Sequence, residues 1–255
     1  MPKKKLEALI DGDILIHRVA AAVEVPWQWE DDVWTLHADA RMAQHLLDVE
    51  VAGIREKLGG KSVAVTVCLS SPNNWRNDVL PSYKSNRKGQ RKPMVLRDLR
   101  AYVANTYDVA VMPRLEADDV MGILATGPKS ANRVIVTIDK DLRTVPGRHF
   151  NPDQDSEIRT VTADEADHFH MMQTLCGDAT DGYAGCPGVG PKRAEGILNG
   201  GSSWSAVVAA FEKAGLSEFE AIVQARVSRI LRHADFNPQT SEVRLWEPKA
   251  DPALF

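Results

Sequence analysis

Carboxylates gather in short stretches of this chain, and they are the residues best suited to chemistry. Asp11 and Asp13 lie in "LIDGD", Glu116, Asp118 and Asp119 in "LEADDVMG", Asp139 and Asp141 in "TIDKDL", and Asp178 and Asp181 in "LCGDATDGYAGCPGVGPKRAEGIL". Each stretch has an ordinary explanation. Acids in a helix's first turn favour its macrodipole by about 0.3–1 kcal/mol each. Asp residues after a strand can bond their own backbone, and an Asp/Gly run can be a plain loop. Their joint placement argues for more. Several carboxylates converging at one sheet edge repel one another, and a divalent cation removes the conflict. Oxygen-only donors suit magnesium or manganese. Zinc is disfavoured by the lack of HExxH and CxxC; His37, His45, His168 and His170 read as surface or packing residues.

Two further patterns carry positive charge. Residues 75–100, "WRNDVLPSYKSNRKGQRKPMVLRDLR", are strongly basic although the whole chain has a net charge of −4. Aromatic side chains beside cations suit frayed or single-stranded nucleic acid, bases stacking while cations hold phosphates; the alternative is a solvated helical face. The turn "GCPGVGPKR" is neither a Walker A loop nor a dinucleotide fingerprint. It suits a hairpin of two helices whose glycine amides and following helix N-terminus face a phosphate, with Pro191 in the first helical turn. A plain helix–helix connection is the alternative.

The elements that must position these groups alternate in type. Strands are expected at "LEALID", "SVAVTVCL", "YDVAVM" and "RVIVTID". Helices are expected in "ILIHRVAAAVE", from Asp39 to about Leu58, in "VLRDLRAYVANT", "EADDVMGILAT" and "TADEADHFHMMQTLCG", and over 203–214 and 217–233. Thr162 and Glu165 form a capping-box pattern. "WQWEDDVWTLHAD" fits no single element, and the tail after Asn237 reads as irregular. The alternation implies an α/β fold with a mainly parallel central sheet covered by helices on both faces. In such folds ligands gather at the carboxyl ends of strands, where Asp11, Asp139 and Asp141 are expected. With 255 residues, no linker or repeat and no apolar run of membrane-spanning length, one α/β core plus a helical C-terminal portion is expected. Cys68, Cys176 and Cys186 lack metal-type spacing and read as reduced thiols in a cytoplasmic setting.

In order and content, "LIDGD", "WRNDVLPSYKSNRK", "LEADDVMG", "VIVTIDKDL" and the 175–198 stretch resemble the 5′-nuclease family. That family includes flap endonucleases, the 5′-3′ exonuclease domains of bacterial DNA polymerase I, and above all bacteriophage 5′-3′ exonucleases. The resemblance implies a 5′-nuclease/PIN-like core over 1–176 with a basic helical arch at about 72–93, then a helix–three-turn–helix and C-terminal helices over 177–255. It implies a first metal cluster of Asp11, Glu116, Asp118 and Asp119, and a second of Asp139, Asp141, Asp178 and Asp181. Lys84 and Arg87 would engage the scissile phosphate. Arg76, Tyr83, Lys88, Gly188, Val189, Gly190 and Lys192 would contact nucleic acid, and the hairpin would offer a potassium site. Two or more Mg²⁺ or Mn²⁺ ions, a DNA substrate with a 5′ end, flap or duplex junction (or an RNA–DNA hybrid), a monomer without membrane attachment and a cytoplasmic location complete the expectation. The activity implied is metal-dependent 5′-3′ exonuclease or flap-endonuclease cleavage, as in phage replication or primer removal. A related ribonuclease, including an RNase H-type enzyme, and a weakened nucleic-acid-binding relative stand as alternatives. One departure is present: where many relatives carry an aspartate after the second strand, this chain has Leu69-Ser70-Ser71, with Asp13 as a possible substitute.

Overall fold

A computed structural model describes residues 5–248. β1 (Glu7–Asp11) runs directly into α1 (Gly12–Ala22), followed by the ribbon β2 (Glu24–Glu30) and β3 (Val33–Ala38) and by α2 (Ala40–Lys57). Next come β4 (Ala64–Cys68), a single turn α3 (Arg76–Val79), α4 (Leu96–Thr106), β5 (Asp108–Ala110), α5 (Ala117–Ala125) and β6 (Arg133–Val136). β7 (Gly147–Phe150) and β8 (Arg159–Val161) complete the main sheet. The remaining helices are α6 (Ala163–Cys176), α7 (Pro191–Leu198), α8 (Trp204–Lys213) and α9 (Glu218–Ser228), before the short pair β9 (Phe236–Asn237) and β10 (Glu242–Val243).

The six-stranded sheet has the order β5-β4-β1-β6-β7-β8, parallel except for the β7–β8 pair. Its winding reverses between β1 and β6, the crevice where ligands of open α/β sheets bind. Side chains alternate across it with the period of a strand. Ala8 and Ile10 join a core with α1, α2 and α4, whereas Leu9, Cys68 and Ile135 pack with α5 and Leu231. α1 lies so close to β4 that a Cβ on Gly12 would stand 2.7 Å from the Cys68 carbonyl oxygen.

The C-terminal helices build a separate core from Leu175, Val189, Leu198, Val207, Phe211 and neighbours. α6 carries the Thr162–Glu165 capping box, and Pro191 opens α7. The link between them folds back on itself at Gly177 and Gly185, both with φ of +66°; a Cβ on either would come within 2.3 Å of the other's loop backbone. The last expected helix is shorter than its pattern, because the chain becomes extended from Arg229 on and threads beside α5. Before α4 begins at Leu96, the basic segment is helical only over α3 and a 3₁₀ turn at Ser85–Arg87. It is pinned to the loop after α6, with the Lys84 N–H donating to the Asp181 carbonyl at 2.8 Å. The ambiguous "WQWEDDVWTLHAD" forms most of the β2–β3 ribbon. Among the described residues, no helix is long and apolar enough to cross a membrane.

Candidate active site

The carboxyl ends of β1 and β6, the N-terminus of α5 and the loop after α6 enclose a cavity of about 360 Å³. Asp11, Glu116, Asp118, Asp139, Asp141, Asp178 and Asp181 line it, facing Lys84 and Arg87. Every acid expected from the sequence is there except Asp119. A larger cavity of about 600 Å³ lies near His170, Trp204 and Trp246. Its three arginines are balanced by three acids and it holds no acidic cluster, so chemistry centres on the smaller one.

Asp11 caps α1, accepting the Ile14 N–H at 3.1 Å, and accepts the Thr137 hydroxyl at 2.9 Å. Burial pushes its carboxyl up to about 6, against those two hydrogen bonds, with Asp13 and Asp139 adding repulsion. Burial raises Asp118 well above the ordinary range, helped by Asp11, Asp139 and Glu116; Lys84 opposes this only weakly. Asp141 is also raised, by burial and then by Asp139. The turn roles are real as well. Asp139 accepts the Asp141 N–H at 2.8 Å and Asp178 the Thr180 N–H at 2.7 Å. Backbone capping and cleft lining therefore coexist in the same side chains.

Glu116 behaves differently. Burial would raise it, but Arg76 and Lys84 hold it down to about 2. Lys84 Nζ sits 2.5 Å from Glu116 and 3.4 Å from Asp181, while Arg87 meets Asp181 at 2.5 Å. Lys84 has φ of +53°, a left-handed conformation uncommon outside glycine, which the surrounding contacts maintain.

Several of the expected residues are engaged by the protein itself. Asp119 is fully buried and away from the cleft. Its two oxygens accept from Arg76 at 2.6 and 2.8 Å, Trp75 Nε1 at 3.1 Å and the Leu231 N–H at 3.1 Å, so both are taken up by donors of the protein and anchor α5 to Arg76 and the chain at Leu231. Arg76 is equally buried. Its five N–H groups go to Asp119, Glu116 and the Val227 and Arg229 carbonyls, leaving none for nucleic acid. Tyr83 is buried under the cleft, its hydroxyl 3.1 Å from Glu116 and 3.0 Å from Asp181, so its ring offers no stacking face here. Val189 packs into the C-terminal core, so its side chain is not a contact surface. Lys88 and Lys192 are exposed as required. Gly188 needs its positive φ of +71°, whereas a Cβ on Gly190 would meet nothing within 4 Å.

Other residues gained a place. Lys140 lines the cleft and pairs with Asp141 at 2.9 Å; it lay in plain view within "TIDKDL". Asp13 and Ser70 line it too. Asp13 accepts from the Ser70 N–H at 3.1 Å and from Arg100 at 2.8 Å, and Arg100 also donates to the Ser70 carbonyl. The Ser70 hydroxyl accepts the Ala117 N–H at 2.9 Å, tying this loop to the start of α5. Nothing in the spacing of Arg100 pointed to that role.

Among the described residues, no three His, Cys, Asp or Glu side chains meet at one ion-sized point. The donor chemistry still fits a hydrated divalent cation: all oxygen, strongly acidic, and uncompensated at Asp11 and Asp118. Magnesium keeps several waters and is held through them as well as directly.

Residues 7–168 match the family described as 5′-3′ exonuclease, N-terminal resolvase-like domain. An exodeoxyribonuclease of Enterobacteria phage T3 is 30% identical over 95% of this chain and 93% of its own length. An exonuclease of Escherichia phage T7 is 28% identical over 94% and 93%. In three dimensions the chain resembles the bacteriophage T5 flap endonuclease, solved as a pseudo-enzyme-product complex with DNA and metal ions. The TM-score is 0.63 at 15% identity, covering 88% of this chain and 89% of that one. That likeness shows a shared fold.

Proposed function

Because the chain belongs to the 5′-3′ exonuclease family, whose members similar to it are nucleases, we propose that it hydrolyses DNA phosphodiesters at or near a 5′ end with two divalent cations. The observation that carries this reading is the single cleft in which eight carboxylates, Asp13 among them, face Lys84 and Arg87 at the sheet's switch point. Asp11, Glu116 and Asp118 would hold one ion and Asp139, Asp141, Asp178 and Asp181 the other, with Mg²⁺ or Mn²⁺ favoured by the oxygen donors. Bound there, the ions lower the pKa of an attacking water and neutralise charge on the attacking and leaving oxygens.

The protein's own part is positioning and charge. Lys84 and Arg87 now neutralise Glu116 and Asp181. With Glu116 and Asp181 engaged in holding metal, Lys84 and Arg87 would be free to engage the scissile phosphate, where preorganised charge acts on the transition state. No protein nucleophile is needed; the products carry a 5′-phosphate and a 3′-hydroxyl. Away from the cleft, the Gly188–Lys192 turn would grip duplex backbone at the N-terminus of α7, with K⁺ as a second candidate ligand. Gly190→Val should weaken duplex binding while leaving the fold intact, since the protein leaves that position open. One chain supplies the whole centre. The unpaired Cys68, Cys176 and Cys186 support a reducing, cytoplasmic setting.

Product mapping on 5′-labelled duplex, flap and RNA–DNA hybrid substrates tests the reading, with and without Mg²⁺. Mg²⁺-dependent release from the 5′ side is expected, and Lys84→Ala or Arg87→Ala should depress the single-turnover rate more than DNA affinity. Binding without cleavage in every condition would instead leave a non-catalytic relative. Preference for a ribose 5′ strand would favour the ribonuclease alternative.

A further inference from the structure

The β2–β3 ribbon projects as a two-stranded sheet, and none of its residues lines the acidic cleft. It exposes Trp27, Trp29 and Trp34 at 54%, 62% and 57%, together with Val25 and Val33. Trp27 and Trp29 meet edge-on at 6.3 Å, and Trp29 Nε1 donates to the Thr35 hydroxyl at 2.8 Å. The base of the ribbon is fixed: the Glu24 carboxylate accepts two hydrogen bonds from Arg91 and one from the Met94 N–H, all at 2.7 Å. A lone two-stranded ribbon is marginal in water, and exposed tryptophan on it adds to the cost.

The two outer edges differ. β2 carries Pro26, which has no N–H to donate, the charged Glu24 and Glu30, and a register shift between Gln28 and Glu30. Those are the devices that keep a strand edge from pairing. β3 reads Val33-Trp34-Thr35-Leu36-His37-Ala38, without proline, glycine, aspartate, glutamate, lysine or arginine. Among the described residues no strand other than β2 pairs with it. The turn between them, Glu30-Asp31-Asp32, is acidic and would repel a phosphate backbone, which disfavours nucleic acid as the occupant.

We propose that the open edge of β3 pairs antiparallel with β3 of a second copy, joining two ribbons into a four-stranded sheet across a two-fold axis. A two-fold perpendicular to the sheet keeps each face matched to itself. With Thr35 on the axis, Trp34 stands opposite Leu36 of the second copy and Val33 opposite His37, each twice. Cross-strand pairs are the unit of sheet stabilisation, and of these Trp34–Leu36 is apolar on both sides. Antiparallel pairing sends the two acidic turns to opposite ends, so they do not meet. Only Trp34 of the three tryptophans lies on β3 itself, Trp27 and Trp29 standing one strand back on β2, so the seam is smaller than the ~800 Å² per partner of a standard interface and the dimer belongs in the micromolar range. The monomer expected from the sequence is then the dilute form.

Sedimentation velocity over roughly 1–200 µM tests this. The mass should rise from one chain to two. Trp34→Lys and Leu36→Lys, which bring cations close together across the axis, should each shift the midpoint upward at least about tenfold. Gln28→Lys on the guarded β2 edge should leave it in place. Thr35→Cys should form an oxidised dimer well beyond that of the unsubstituted chain with its three thiols, and this second measurement stands even if a lysine variant unfolds the ribbon. Circular dichroism and cleavage by monomeric variants check that the rest of each chain is intact. A one-chain mass throughout would overturn the proposal. So would a dimer indifferent to β3 substitutions, or a Trp34→Lys variant that loses DNA affinity while the unsubstituted chain stays monomeric.

Discussion

Around Arg76 and Asp119 the protein neutralises its own buried charge; one residue from Asp119 along the same helix, at Asp118, and at Asp11 facing it, carboxylates are left largely unneutralised. Asp119 and Asp118 are adjacent residues of one helix turn, yet Asp119 meets a guanidinium in two hydrogen bonds while Asp118 faces Asp11, Asp139 and Glu116. A buried carboxylate saturated by fixed donors is a structural part, because removing either partner strands a charge. A carboxylate surrounded by others is destabilised by their repulsion, which an opposite charge relieves. Glu116 spans the two regions, bonded both to Arg76 and to Lys84.

The largest effect should come from breaking the saturated region. Asp119→Ala leaves Arg76 buried without its main partner and should lower stability by about 3–5 kcal/mol, read by denaturant titration. Replacing Arg76 and Asp119 together with apolar residues should recover part of that loss. If Asp119→Ala melts like the unsubstituted protein, the anchor assignment fails. Asp118→Ala tests the other region. Turnover should fall by about 10²–10³-fold or more, yet the metal-free protein should melt no lower, because a repulsive charge is gone. Normal turnover at limiting Mg²⁺ would remove Asp118 from the metal site.

A pH titration sharpens the same contrast. Asp11 moves from 3.8 to about 6 in the folded protein. Across that window the native state holds more protons than the unfolded chain, so stability in chelator should fall as pH rises, by roughly 2–3 kcal/mol from this group. Glu116 has the opposite sign, being lowered from 4.5 to about 2. Its contribution is fully present above 4.5 and is lost as pH falls towards 2. Mg²⁺ should abolish the loss at higher pH and leave the acid limb unchanged. Chelator-treated melts that rise steadily from pH 4 to 6 would contradict the uncompensated region.

The smallest effect concerns Ser70. Ser70→Asp places a carboxylate on the cleft wall where the family resemblance led one to be expected, and should lower the Mg²⁺ concentration for half-maximal rate a few-fold. DNA affinity should stay nearly constant. An unchanged Mg²⁺ dependence in a folded variant would mean that Asp13, already on that wall and steadied by Arg100, fills the role.

Most of the fold was legible because its signals are local. β-branched runs marked β4 and β6, capping residues marked α6, and Pro191 marked α7. The β2–β3 ribbon was not, since "WQWEDDVWTLHAD" alternates too loosely for either period and its register rests on a tight turn with Asp32 at φ of +64°. In the basic segment the family resemblance implied a helical arch. Its actual shape depends on contacts with the loop at Ala179–Asp181, far away in sequence.

By itself the sequence determined which acids stand at strand ends and helix starts, because residue type, period and capping act over a few neighbours. It therefore specified the lining of the cleft at seven of eight acids. Only the tertiary structure decided which acid does what. Arg76 lies 43 residues from Asp119, and Leu231 lies 112 residues from it. Neither distance leaves a trace in local pattern, yet their donors convert one carboxylate of "EADD" into a buried anchor while its neighbour remains open to the cleft. Hydrogen bonds and burial set a carboxylate's charge state and reach, and both depend on what the fold brings alongside it.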